Sequence, residues 1–125
     1  MNAPRPRPKV FAVEDESLIL MLLEDLLGEI GCDCVATATR LAAARDIAAT
    51  KTFDLAILDV NLRGETSHPV AEILAGRGVP FIFATGYGDV DPGGQWSDAR
   101  VLQKPYDARA LRAAIEATLG VSLAR

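Results

Sequence analysis

Short apolar runs alternate with longer stretches of helical periodicity along most of the chain. Lys9 to Glu14 is apolar on both faces of an extended segment and reads as a buried strand. Ser17 to Ile30 places apolar residues at helical spacing with acidic residues on one side, and Gly31 stops it. Cys32 to Thr37 predicts a second strand, and Thr39 to Thr50 an alanine-rich second helix. Phe53 to Leu58 is a third strand, apolar nearly throughout. A turn over Asn61–Gly64 leads to a third helix beginning near Pro69, where the fixed φ and missing N–H of proline suit a first helical turn. Val79 to Ala84 and Arg100 to Gln103 are the fourth and fifth strands. Asp107 to Leu119 is the last helix, with Asp107 as its N-cap and Leu111, Ile115 and Leu119 on one face. Between the last two strands, Asp89 to Gln95 holds Pro92, Gly93 and Gly94, so the helix expected there is short or broken.

Strands apolar on both faces, alternating with helices, imply a parallel sheet covered on both sides. Five such units predict an α/β fold with a doubly wound five-stranded sheet of order 2-1-3-4-5. Residues 9–121 form the expected single domain. The Pro/Arg-rich residues 1–8 read as a disordered or polyproline tail, and 122–125 as a short C-terminal one.

Composition narrows the function. In 125 residues, 50% are hydrophobic, enough for a core without disulfides or metal. A net charge of −4 and a pI near 4.9 argue against a general nucleic-acid binder, which needs a clustered basic surface. No apolar run is long enough to cross a bilayer, and no signal peptide is visible, so a cytoplasmic location is expected. Cys32 and Cys34 are too close for a disulfide framework and read as two small buried side chains.

In a sheet of this order, ligands bind beyond the carboxyl ends of the strands, where the order reverses between strands one and three. Strand one ends in Glu14-Asp15-Glu16, and strand three runs into Asp59. Carboxylates converging there repel one another unless a cation is present. Mg2+ suits one or two carboxylates, several waters and a phosphate oxygen. Strand four ends in Ala84-Thr85 and offers a hydroxyl; strand five runs into Lys104-Pro105 and offers an ammonium. Such a set can hold a phosphoryl group, and a carboxylate at its centre can accept one as an acyl phosphate. Asp59 is best placed for this. In isolation each residue has a plainer reading: a helix-start acid, a turn threonine, a solvated lysine.

With these residues in order, the chain resembles a response-regulator receiver domain from Lys9 to about Leu119, on the acidic pair Glu14-Asp15, Asp59, Thr85 and Lys104-Pro105. The resemblance implies that Asp59 takes a phosphoryl group from a histidine kinase or phosphotransfer protein. It implies Mg2+ on Asp15, Asp59 and the backbone carbonyl of Asn61, with Glu14 acting mainly through water. Thr85 would contact the phosphoryl group and Lys104 would form a salt bridge to it, with a cis bond between Lys104 and Pro105. Phe83-Ala84-Thr85-Gly86-Tyr87 partly resembles the FATGUY subgroup, with Gly88 where an aromatic is usual. Val101 stands where many receivers carry Tyr or Phe, so the resemblance does not extend to the usual threonine–aromatic switch. Glycines and Pro92 between Tyr87 and Asp98 predict a mobile readout segment.

A receiver is a switch, not a turnover enzyme, and only slow self-phosphorylation and self-dephosphorylation are expected. An aspartate-nucleophile phosphatase would need a second Asp two residues after the first, where Asn61 stands. A pseudo-receiver that acts by protein contacts alone stays open at this stage, as do the downstream target and the oligomeric state, homodimer included. His68, the sole histidine, reads as a solvated loop residue. Tyr106 reads equally as docking surface or as packing against the last helix. Trp96 reads equally as core or as contact. Leu20 and Met21, if exposed, would mark a partner patch on the first helix.

Overall fold

The computed structural model describes residues 7–86, 94–96 and 99–123. In order, these form β1 (Lys9–Val13), α1 (Ser17–Glu29), β2 (Asp33–Ala38), α2 (Leu41–Thr50), β3 (Leu55–Asp59), β4 (Asn61–Leu62), β5 (Glu65–Thr66), α3 (His68–Arg77), β6 (Phe81–Thr85), β7 (Val101–Gln103) and α4 (Ala108–Leu119). Five strands build one parallel sheet of order β2-β1-β3-β6-β7. This is the doubly wound order expected, 2-1-3-4-5, once the two short strands of a separate hairpin are set aside.

The sheet has two apolar faces, which the period-two alternation of each strand divides between two cores. Val10, Ala12, Leu55, Ile57 and Ile82 face Leu20, Leu23 and Leu27 of α1 and Leu111 and Ile115 of α4. Phe11, Val13, Ala56, Leu58 and Phe83 face Ala44 and Ala48 of α2 and Val70, Ala71 and Leu74 of α3. Each large side chain removed from water here contributes about 1.5–3 kcal/mol, which outweighs the modest helix propensity of β-branched residues. At its start α4 is capped by Asp107, whose carboxylate accepts the Ala110 N–H at 2.9 Å. Its end is Gly120, left-handed at φ 68°.

Several boundaries differ from the sequence expectation. Arg7 and Pro8 belong to the fold and not to a tail. Pro8 is buried, its carbonyl accepts the Asp33 N–H at 2.9 Å, and Arg7 Nε lies 2.8 Å from Asp33 Oδ1. At the other end Leu123 is buried in the first core, and its N–H donates to Glu116 Oε2, so the domain extends past residue 121. The third helix starts one residue early, at His68.

The expected turn over Asn61–Gly64 is part of a small antiparallel hairpin, β4–β5. Its tip, Arg63-Gly64, has two positive φ angles, 54° and 88°, the signature of a type I′ turn. The Asn61 side chain accepts the Gly64 N–H at 2.8 Å, and Leu62 is buried in the second core. The short or broken fourth helix and the mobility from Tyr87 to Asp98 fall largely outside the described residues.

Candidate functional site

Three parallel strands deliver their last residues to one edge of the sheet. β1 leads straight into Glu14 and Asp15, β3 ends on Asp59 and β6 on Thr85. β3 lies between β1 and β6, so Asp59 stands between the other two strand ends. Carboxylate oxygens of Glu14, Asp15 and Asp59 lie within 4.8 Å of one another. Lys104, just after β7, is aligned by its own N–H, which donates to the Thr85 carbonyl at 2.8 Å. The Lys104–Pro105 peptide is cis, as the resemblance implied.

The lysine is shared unequally. Its Nζ is 2.7 Å from Glu14 Oε1 and 3.3 Å from Asp59 Oδ2. Glu14 is only 2% exposed, and its other oxygen accepts the Glu16 N–H at 3.1 Å. Glu14 is thus held directly by protein groups on both of its oxygens. Asp15 sits higher, half-buried, and its Oδ2 accepts the Arg63 N–H at 3.1 Å.

These positions set the electrostatics. Burial raises the Asp59 carboxyl and the Glu14 charge raises it further; Lys104 opposes both, and the net is a pKa pushed up to about 7. For Asp15, burial is outweighed by hydrogen bonds with Glu14, with the Arg63 N–H and with Asp59, and its pKa falls. Burial disfavours the Lys104 ammonium, but the Glu14 hydrogen bond and the two acidic charges more than compensate and raise its pKa. The same burial raises the nearby Tyr106 hydroxyl to about 12.

A cleft of about 690 Å3 opens onto this cluster, walled by Asp15, Asp59, Asn61, Thr85 and Lys104. All six residues singled out in the sequence therefore meet: five line the cleft, and Glu14 lies beneath it on Lys104. Arg63 and Glu16 also line it and were not singled out. Arg63 left a faint signal, an Arg-Gly pair between Leu62 and Glu65, which a hairpin reading would have caught.

One expectation is corrected and others are resolved. His68 is not a solvated loop residue: it opens α3, its ring meets Phe83 edge-on at 5.7 Å, and its Nε2 is buried. The neighbouring Ser67 is fully buried. Trp96 packs against Phe81 at 5.4 Å and Phe83 at 6.5 Å, which makes it part of the second core. Leu20 is core, whereas Met21 is 59% exposed beside Leu18 and Leu22. Cys32 is buried and Cys34 half-buried; burial pushes the Cys32 thiol up to about 11, an inert structural thiol.

A flavodoxin-like sheet with its acidic cleft at the switch point defines the receiver class of α/β domain. The chain belongs to the response regulator receiver domain family, whose profile matches residues 10–116. Among solved structures it is similar to SdrG from Sphingomonas melonis Fr1, at 44% identity over 92% of this chain and 98% of that one, with a TM-score of 0.77. It is similar also to the BeF3-activated conformation of SdrG from Pseudomonas melonis Fr1, at 45% identity over 89% of this chain and 95% of that one, with a TM-score of 0.76. The Erythrobacter litoralis PhyR response regulator REC domain is 29% identical over 93% and 92% of the two chains, with a TM-score of 0.81. No curated protein matches the chain.

Proposed function

We propose that this receiver is a phosphoacceptor switch in which Asp59 takes a phosphoryl group from a histidine kinase or phosphotransfer protein. The observation that carries the reading is the meeting of Glu14, Asp15 and Asp59 within 4.8 Å, with one lysine on Glu14 and Asp59. The donor set is all oxygen and largely anionic, which fits Mg2+. Asp15, Asp59 and the Asn61 carbonyl would hold the ion, with Glu14 behind them. When bound, Mg2+ neutralises the acids and the incoming phosphoryl oxygens.

The chain's own residues account for the rest. An Asp59 carboxylate oxygen attacks phosphorus to form the acyl phosphate, and the donor's leaving group departs with the electron pair of the broken bond. Lys104 exchanges part of its contact with Asp59 for a phosphoryl oxygen, and the Thr85 hydroxyl donates to another. The new charge biases nearby loops and hence protein contacts. Turnover is not the purpose, so hydrolysis of the acyl phosphate is slow.

The exposed Leu22 lines a mainly apolar groove of about 360 Å3 with Ile19, Leu23, Pro105 and Tyr106, and Leu18 and Met21 are exposed on the same helix. This face is where the phosphodonor protein docks. No helix among the described residues is long and apolar enough to cross a membrane, and a cytoplasmic setting suits the proposed partners.

Intact mass after incubation with phosphoramidate and Mg2+ tests the reading. One added phosphoryl group that requires Mg2+ and vanishes in Asp59→Asn is expected. An unmodified wild-type protein that is also unperturbed by beryllofluoride would overturn the proposal and leave a pseudo-receiver.

A further inference from the structure

The cleft holds a second cation whose side chain the preceding mechanism does not use. Arg63 sits at the tip of the β4–β5 hairpin in the left-handed region, φ 54°, where a non-glycine residue pays a steric cost. Its backbone N–H is tied to Asp15 Oδ2, which fixes the tip above the acids. Arg63 lines the same cleft as Asp59 and Lys104. Lys104 is already committed, at 2.7 Å to Glu14 and 3.3 Å to Asp59. The Arg63 guanidinium forms no ion pair among the described residues, although three carboxylates stand at the cleft it lines. A small phosphodonor carrying two negative charges must approach these acids to reach Asp59.

We propose that Arg63 is a specificity-determining residue for the phosphodonor: its guanidinium, presented by the hairpin, receives the phosphoryl oxygens as the donor enters. The inference rests on the phosphoacceptor reading above. Planar guanidinium N–H groups match two phosphoryl oxygens at once, whereas Lys104, shared with Glu14, offers a single point charge. In the reaction with acetyl phosphate, an Asp59 carboxylate oxygen bonds to phosphorus. The bond from phosphorus to the acetyl oxygen breaks, and acetate leaves with its electron pair, with no proton required at neutral pH. Arg63 acts on the phosphoryl oxygens, which are carried unchanged from donor to Asp59.

The test compares Arg63→Gly and Arg63→Lys with wild type. Glycine adopts the positive φ more readily than arginine, so Arg63→Gly keeps the hairpin and its N–H to Asp15 while removing the charge. Labelling rates against acetyl phosphate concentration at saturating Mg2+ give half-saturation and maximal rate, and calorimetry gives Mg2+ affinity. Arg63→Gly should raise half-saturation roughly three- to tenfold, the worth of one exposed charge-assisted contact. Mg2+ affinity should stay within about twofold, since an exposed charge contributes little to it. The gap should narrow as salt is raised, because an exposed cation is screened, and Arg63→Lys should recover most of it. Unchanged half-saturation, a salt-independent change, or a Mg2+ affinity loss that accounts for the whole effect would each overturn the role. A wild-type protein that takes no phosphoryl group would instead sink the parent reading, a distinguishable outcome.

Discussion

The two ends of the sheet use the same residue types to opposite effect. At the amino ends of the strands each acid has its own partner. Asp33 pairs with Arg7 at 2.8 Å, and Asp54 Oδ2 accepts the Lys9 N–H at 2.8 Å. At the carboxyl ends Glu14, Asp15 and Asp59 crowd within 4.8 Å of one another, and their one ammonium partner, Lys104, is shared between Glu14 and Asp59. The first arrangement is electrostatically closed: nothing is left that a ligand would relieve. The second keeps repulsion that a cation or a proton relieves, and the rise of Asp59 to a pKa of about 7 is its sign. Acidic clusters mark function here because their charges are under-compensated, not because acids are rare at strand ends.

Removing the shared lysine should widen this contrast most. In Lys104→Met, Glu14 keeps its burial, 2% exposed, and loses its ammonium partner. Breaking a buried pair from one side strands the other charge, so a loss of roughly 2–4 kcal/mol in metal-free buffer is expected. Urea unfolding measures it, and Mg2+ should return part of the loss by binding the folded form. A loss below what a surface lysine costs would mean that the carboxyl-end acids are not the strained end of the sheet.

Asp59→Asn should act in the opposite direction. The Asp59 pKa stands near 7 in the fold against an ordinary 3.8. Below about pH 3 the group is protonated in both folded and unfolded states and costs nothing. From there to about pH 7 the unfolded chain ionises first, so Asp59's contribution to stability falls as pH rises through the folded pKa. Above that the penalty is complete. Asparagine removes it, so the variant should exceed wild type by roughly 1–3 kcal/mol at pH 8 and by only about 0.5 kcal/mol at pH 4. Thermal melts at the two pH values, without Mg2+, read the difference; a gain that does not depend on pH would put its origin outside electrostatics.

The strained end was also the more legible one. Asp59 and Lys104 stand out because each follows an apolar run, and a chain that alternates strands and helices leaves few ways to arrange those runs. β1, β3 and β6 were readable because both their faces are buried, which writes near-continuous apolar segments. The hairpin was not readable as such. Its strands are two residues each, too short for alternation, and its left-handed Arg63 is marked only by the glycine that follows it. The expectations for Arg7 and His68 fail for one reason: neighbours distant in sequence, Asp33 and Phe83, decide where they sit. A Pro/Arg run or a His-Pro pair is silent about that.

Arg7→Ala is the smallest change and the sharpest test of the closed end. The pair it breaks is 43% and 49% exposed, and Arg7 also donates to the Cys32 carbonyl at 3.2 Å. An exposed ion pair is screened and costs side-chain entropy to hold, so about 0.5 kcal/mol is expected from urea unfolding. The shift should shrink with salt and be identical with and without Mg2+, since Asp33 lies at the opposite end of β2 from the cleft. A loss above about 2 kcal/mol would exceed any exposed pair and show that the first residues lock the edge strand by burial of Pro8 instead of by charge. A Mg2+-dependent loss would say more: that the two ends of the sheet communicate, and that the amino end is not electrostatically closed.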